Sequence, residues 1–106
     1  MSHANRPQSQ DAFDIVSERI HEASEVLRAM ASETRLKVLC ALSTGELPVN
    51  ELAHLTGQSA SAASQHLSKL RAAGLVETRR EGQTIYYRCS GGIGLALVDT
   101  LCGFYG

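Results

Sequence analysis

Two groups of residues in this sequence could carry chemistry: three thiols, and a set of polar and basic side chains around a predicted hairpin. The cysteines are Cys40, Cys89 and Cys102, an odd number with wide spacing. This pattern is not that of a secreted disulfide framework, and free or reactive thiols are expected in a reducing compartment. A thiolate can attack electrophilic sulfur or oxygen, and it can also bind a soft metal ion.

The second group lies in a predicted helix, SASAASQHLSKLRAAG, and in the hairpin that follows it. Small polar side chains let a helix approach base edges in the major groove, and glutamine can pair bidentately with adenine. Hairpin arginines can bind phosphates or enter the minor groove. The candidate DNA-binding residues are Ser59, Ser61, Ser64, Gln65, His66, Lys69, Arg79, Arg80 and Gln83. The alternative interpretation is an ordinary solvated helix and hairpin.

Hydrophobic periodicity predicts the elements that position these residues. Apolar residues recur every three or four positions between residues 13 and 30, which predicts one amphipathic helix. Ser32 and Ser59 are suitable N-caps for later helices, and Gly57 is suited to end the short helix between them. The period then changes to two in LVETRR and TIYYRC, which predicts a β-hairpin, and the apolar stretch IGLALVDTLCGFY predicts a last helix.

The predicted architecture is therefore mainly α with a β-hairpin wing: four helices, a hairpin and a fifth helix. Two short helices joined by a glycine-containing turn and followed by a basic hairpin form a winged helix-turn-helix. We expect residues 1–11 to be a disordered tail, because they are polar and include a proline, and residues 12–106 to form the folded domain. A chain of 106 residues leaves no room for a second core.

Charge and composition limit the function classes. The net charge is −1, so a nucleic-acid site must come from local clustering of charge. The apolar runs are too short for a membrane helix, and the polar start lacks the apolar region of a signal peptide, which predicts a cytoplasmic protein without a membrane partner. The sequence has no nucleophile–base pair with supporting residues and no phosphate loop, so an enzyme is not expected.

The motifs SQHLSKLRAAGLV and RREGQTIYY, with ASETRLKVLCALSTGE ahead of them, resemble the ArsR/SmtB family of bacterial repressors. The resemblance covers about residues 20–105. It implies a homodimer built from the first and last helices and a double-stranded DNA operator with dyad symmetry. It also implies that an inducer releases the DNA.

The metal sites of this family do not fit the sequence. In the stretch that resembles ELCVCDL, Pro48 and Asn50 stand where the two thiolates would be, and neither is a soft ligand. The predicted last helix offers Asp99 but no histidine for the second site. We therefore expect no metal at either family site and no cofactor.

The resemblance extends to the sulfide- and persulfide-responsive (SqrR/BigR-type) branch, which uses one cysteine at the position of Cys40 and one in the last helix. Ungapped alignment puts the second thiol at Gly106, and Cys102 lies four residues earlier, one helical turn of about 6 Å. The implied redox pair is Cys40 and Cys102, with a reactive sulfur species or oxidant as inducer. We expect Cys102 to be the more exposed thiol and Cys40 the more shielded.

Three alternatives stay open at this point. The cysteines could be structural, because a free cysteine often packs as a small hydrophobic residue. They could instead bind a soft metal ion or metalloid such as Zn²⁺ or arsenite, with Cys89 as a third ligand. Finally, the scaffold could serve an interaction protein that does not bind DNA, although Arg79 and Arg80 argue against it.

Overall fold

The computed structural model describes residues 9–106, and this part of the chain contains six helices and one three-stranded sheet. The helices are α1 (Ser9–Ser17), α2 (Ile20–Met30), α3 (Glu33–Leu42), α4 (Val49–Thr56), α5 (Ala60–Ala72) and α6 (Ile93–Tyr105). The strands are β1 (Leu47–Pro48), β2 (Val76–Glu81) and β3 (Thr84–Cys89). None of these helices is long and apolar enough to cross a membrane.

The N-terminal region differs from the single helix predicted between residues 13 and 30. α1 ends at Ser17 and α2 begins at Ile20. The backbone N–H of Arg19 donates to the carbonyl of Val16 at 2.9 Å, an i to i−3 bond that tightens the end of α1. No proline or glycine marks this break, so the hydrophobic pattern could not reveal it.

The helix α1 begins inside the segment predicted to be a tail. Residues 9–11, assigned to the tail from their polar composition, form the first turn of α1. The prediction for residues 1–8 lies outside the described residues.

The predicted helix ends are confirmed at three residues around the helix-turn-helix. Oγ of Ser32 accepts from the N–H of Arg35 at 3.3 Å, and Oγ of Ser59 accepts from the N–H of Ala62 at 3.0 Å, as N-caps do. Gly57 ends α4 with a φ of +68°, a left-handed conformation that favours a residue without Cβ. A short turn bounded by Gly57 and Ser59 therefore joins α4 to α5.

The core lies where α3, α4, α5 and α6 meet the base of the sheet. Its fully buried side chains include Val38, Leu39, Leu52, Leu67, Leu70, Leu75 and Val98. In α5 the buried residues Ala63, Leu67 and Leu70 follow the predicted i, i+4, i+7 spacing, so one stripe of this helix faces the core. The opposite side of α5 is left to solvent.

The wing is a three-stranded antiparallel sheet in the order β1–β3–β2. The predicted hairpin is confirmed: Glu81 pairs with Thr84 across a two-residue turn in which Gly82 has a φ of +62°. The strand β1 was not predicted, because two residues are too few to show a period of two. β1 pairs Pro48 with Tyr86 and so joins the wing to the start of α4.

Candidate nucleic-acid interface and thiol site

The solvent-facing side of α5 carries most of the predicted base-reading residues. Ser61, Ser64, Gln65 and Lys69 are exposed, on the side opposite the buried stripe. Ser59 is also exposed, and its hydroxyl caps the helix. A helix with one buried face and small polar residues on the other has the shape and chemistry to enter a major groove.

His66 lies at the edge of this surface and contacts another helix. It is half-buried, and its Nδ1 lies 3.5 Å from Nη1 of Arg35 on α3. Arg35 also donates through Nε to the carbonyl of Ala29 at 2.6 Å, near the end of α2. The structure therefore places His66 against α3, and not on the outer face where the sequence pattern put it.

The two wing arginines differ in what surrounds them. Arg80 is exposed and forms no ion pair within residues 9–106. Arg79 donates through Nε to both carboxylate oxygens of Glu46, at 2.8 and 2.9 Å, and through Nη1 to Glu81 at 3.0 Å. The predicted free cation at Arg79 is therefore engaged by protein carboxylates, while Arg80 and the exposed turn residue Gln83 face solvent.

Glu46 and Arg35 are the residues that sequence reasoning missed. The hydrogen bonds from Arg79, and then the charges of Arg79 and Arg88, hold the pKa of the Glu46 carboxyl below its ordinary value, although partial desolvation opposes them. Glu46 lies 33 residues from Arg79, and Arg35 lies 31 residues from His66. No local spacing rule connects residues that far apart.

Both thiols of the predicted redox pair are exposed in the single chain, Cys40 on α3 and Cys102 on α6. The leucines of α3 shield Cys40 only in part. α3 buries Val38, Leu39 and Leu42, whereas Cys40 lies on the neighbouring stripe, one turn from the half-buried Leu36.

Cys40 lines an open groove of about 690 Å³ between α3, α4 and β1. Apolar side chains of Leu36, Ala41, Leu47 and Leu55 form much of the wall, and Glu33 and Lys37 also line it. The thiol is therefore accessible from a largely apolar surface.

Burial and nearby charges raise the pKa of two of the thiols, Cys40 and Cys89. Partial burial raises the pKa of the Cys40 thiol, and the charge of Cys102 raises it further. α3 and α6 contact each other, in agreement with this coupling. Burial, and then the charges of Cys40 and Asp99, raise the pKa of Cys89.

Cys89 is the most enclosed of the three thiols. It is half-buried against the core, and its Sγ lies 3.8 Å from the carbonyl of Leu39. Within residues 9–106, no group of three or more His, Cys, Asp or Glu side chains is placed to hold a metal ion. This arrangement does not support the interpretation in which Cys89 completes a three-ligand site.

Comparison with known proteins assigns the chain to a family. Residues 32–78 match the model of the bacterial regulatory proteins of the arsR family. The nodulation protein NolR of Rhizobium meliloti is 49% identical over 90 residues, which cover 81% of this chain and 74% of NolR. The chain belongs to the arsR family. The transcriptional activator HlyU of Vibrio cholerae is 45% identical over 84 residues, which cover 79% of this chain and 78% of HlyU.

Solved structures of other arsR-type regulators share the fold. Reduced HlyU from Vibrio cholerae has a TM-score of 0.80 at 41% identity and covers 87% of this chain and 97% of its own. The transcriptional repressor BigR from Xylella fastidiosa has a TM-score of 0.79 at 32% identity, covering 88% and 95%. A homodimeric winged helix-turn-helix DNA-binding domain from Mycobacterium bovis has a TM-score of 0.76 at 31% identity, covering 95% and 88%.

These matches confirm the winged helix-turn-helix fold and the resemblance to the ArsR/SmtB family, including the similarity to BigR. The protein is a DNA-binding transcriptional regulator and not an enzyme, as predicted.

Proposed function

We propose that this arsR-family protein is a homodimeric repressor of the cytoplasm that binds an inverted-repeat operator. In this proposal, oxidation or persulfidation of Cys40 and Cys102 releases the operator. The observation that carries the thiol part is the placement of two exposed thiols on the contacting helices α3 and α6. The DNA part is supported by the polar outer face of α5 and the exposed Arg80 in the wing.

The exposed apolar side chains support the dimer. Large apolar residues of the N-terminal helices and of α6 face solvent in the single chain: Phe13, Ile15, Val16, Ile20, Leu27, Ile93, Leu101, Phe104 and Tyr105. A second copy would remove such a surface from water. We propose that α1, α2 and α6 form the dimer interface, so that the two α5 helices read half-sites about 10 bp apart.

The redox step begins at Cys102. The raised pKa of Cys40 leaves less thiolate there at neutral pH, so we propose that the Cys102 thiolate attacks first. It takes the terminal sulfur of an organic persulfide, RSSH, and RSH leaves. The Cys40 thiolate then attacks the sulfur bonded to Cys102, and hydrosulfide leaves as the disulfide forms. Two thiols lose two electrons in total, and RSSH is reduced to RSH and H₂S.

Peroxide would act through a sulfenic acid at Cys102, which Cys40 resolves with loss of water. A direct disulfide requires the two Cα atoms to lie within about 7 Å, whereas inserted sulfur atoms span a longer gap. Either link would join α6 to α3 covalently. Because α3 contacts α5 and α6 belongs to the proposed interface, the link would change the spacing of the two α5 helices.

The test combines three single variants with a persulfide donor. Operator affinity of the wild type, Cys40→Ser, Cys102→Ser and Cys89→Ser is measured before and after treatment, and intact mass records the modification. Wild type and Cys89→Ser should lose affinity, whereas Cys40→Ser and Cys102→Ser should keep it. A full response in Cys102→Ser would overturn the thiol mechanism while leaving the DNA-binding role intact.

The soft-metal alternative is tested in the same experiment by metal analysis of the reduced protein. One equivalent of tightly bound metal that is lost in Cys40→Ser or Cys102→Ser would favour that alternative. Transcription from a template carrying the operator distinguishes repression from the activation that the name of HlyU indicates. The proposal requires less transcript in the presence of the reduced protein.

A further inference from the structure

Arg79 crosses the sheet to reach its main partner. Its strand, β2, lies at one edge of the sheet, and Glu46 directly precedes β1 at the other edge. Between them lies β3, and the guanidinium carbon of Arg79 stands 4.7 Å from the ring centroid of Tyr86 on that strand. We call Arg79, Glu46, Glu81 and Tyr86 the wing clamp, since their side-chain contacts join both edges of the sheet.

The wing clamp is built from strong contacts. The two carboxylate oxygens of Glu46 accept hydrogen bonds from Nε and Nη2 of Arg79. Such a bidentate arrangement gives geometric specificity as well as energy. A guanidinium over an aromatic ring adds a cation–π contact. The register places Arg79 and Pro48 opposite Tyr86 from its two sides, so the clamp links the hairpin to the segment that enters α4.

We propose that Arg79 is a positioning residue: with Glu46 it sets the orientation of the wing relative to α4 and α5, so that Arg80 reaches the DNA backbone. This role goes beyond the thiol mechanism and does not depend on it. Arg80 follows Arg79 on β2, and side chains of successive strand residues point to opposite faces. One face of β2 therefore holds the sheet together, and the other presents Arg80, which has no ion-pair partner in the described part of the chain.

The clamp and a direct phosphate contact predict opposite effects of removing Glu46. If Arg79 bound phosphate, Glu46→Gln would free the guanidinium and delete a negative charge near DNA, so operator binding would tighten. If Arg79 positions the wing, the same change loosens the wing and weakens binding, by up to about fivefold. The substitution is nearly isosteric and lies on the surface, which favours a folded protein.

Glu77→Gln is the matched control. Glu77 lies on β2, the strand of Arg79, and pairs with Arg88 across the hairpin. Its replacement therefore removes the same charge as Glu46→Gln but leaves the wing clamp in place. It should leave operator affinity unchanged or slightly raised. Thermal unfolding of each variant shows whether the fold is retained.

The decisive measurement is how much Arg80 contributes to the salt dependence of operator binding, in the wild type and in Glu46→Gln. In the wild type, Arg80→Ala should make the negative slope of log K against log salt shallower by about 0.9, the value for one phosphate contact. In the Glu46→Gln background the same change should have little effect, because a displaced wing no longer brings Arg80 to the phosphate. A purely stabilising role of the clamp would leave the Arg80 contribution unchanged. Tighter binding by Glu46→Gln, or additive effects of Glu46→Gln and Arg80→Ala, would overturn the proposal.

Discussion

Nη1 of Arg35 on α3 lies 3.5 Å from Nδ1 of His66 on α5, so the helix that carries Cys40 contacts the helix that carries Gln65. The Nε of the same guanidinium donates to the carbonyl of Ala29 near the end of α2. Arg35 therefore joins three helices with one side chain. Its contacts join α3, the helix of Cys40, to the candidate recognition helix α5.

We expect Arg35→Met to lower the free energy of unfolding by about 1–3 kcal/mol, because the Ala29 carbonyl loses a charged donor. Methionine keeps much of the aliphatic stem, so the loss of packing is small. Chemical denaturation at one protein concentration measures the effect. Arg71→Met, on the exposed part of α5, is the control and should change stability by less than about 0.5 kcal/mol. Equal stabilities for the two variants would contradict the role given to Arg35.

A second prediction concerns base reading by α5. Gln65→Ala should reduce discrimination at one base pair of each half-site by about 1–3 kcal/mol, because a bidentate contact with adenine is lost. Binding to a set of operators with single base-pair changes measures the loss. Lys69→Ala is the comparison. Loss of this exposed cation on the same face should weaken binding to all operator sequences alike. An unchanged sequence preference in Gln65→Ala would show that α5 does not read bases through this residue.

The exposed apolar surface of α6 provides a third prediction. Phe104 is 79% exposed in the single chain, so Phe104→Asp would place a charge in the proposed dimer interface and shift the protein toward monomer. Sedimentation velocity at several concentrations measures this shift. Leu55→Asp, at a residue that is 60% exposed on α4, is the matched control and should remain dimeric. Monomers in the control, or dimers in Phe104→Asp, would place the interface elsewhere.

The coupling between the thiols can be measured by its effect on reactivity. Burial and the charge of Cys102 raise the pKa of Cys40, so less Cys40 is thiolate at neutral pH than in a free cysteine, and alkylation is slower. Replacement of Cys102 by serine removes the charge, so the pH midpoint of Cys40 alkylation should fall and the rate at neutral pH should rise. Peptide mass spectrometry resolves each cysteine in a pH series.

Cys89→Ser is the control in that series: the charge of Cys40 raises the pKa of Cys89, so Cys89 is still neutral when Cys40 titrates. The Cys40 midpoint should be the same in Cys89→Ser as in the wild type. If the midpoint is also unchanged in Cys102→Ser, the two thiols are not neighbours in solution, and the proposed link between α3 and α6 loses its basis.

Features that depend on neighbouring residues were predictable from the sequence. Ser32 and Ser59 cap the helices that follow them, Gly57 takes the left-handed conformation that ends α4, and Gly82 turns the hairpin. The polar face of α5 followed from the apolar period of 3.6 residues on its other side. These properties are local, because capping, turn geometry and helical periodicity depend on residues a few positions apart.

Only the tertiary structure decided which side chains of different helices and strands contact each other. The pattern made Arg79 a free cation, yet it reaches Glu46 at the far edge of the sheet, and His66 turns to Arg35. Cys40 shares α3 with buried leucines but faces the open groove, because a helix rotates about 100° per residue and only one stripe meets the core. The packing of helices and sheet sets such contacts between residues distant in sequence, and hydrophobic periodicity reports only which face of an element is apolar.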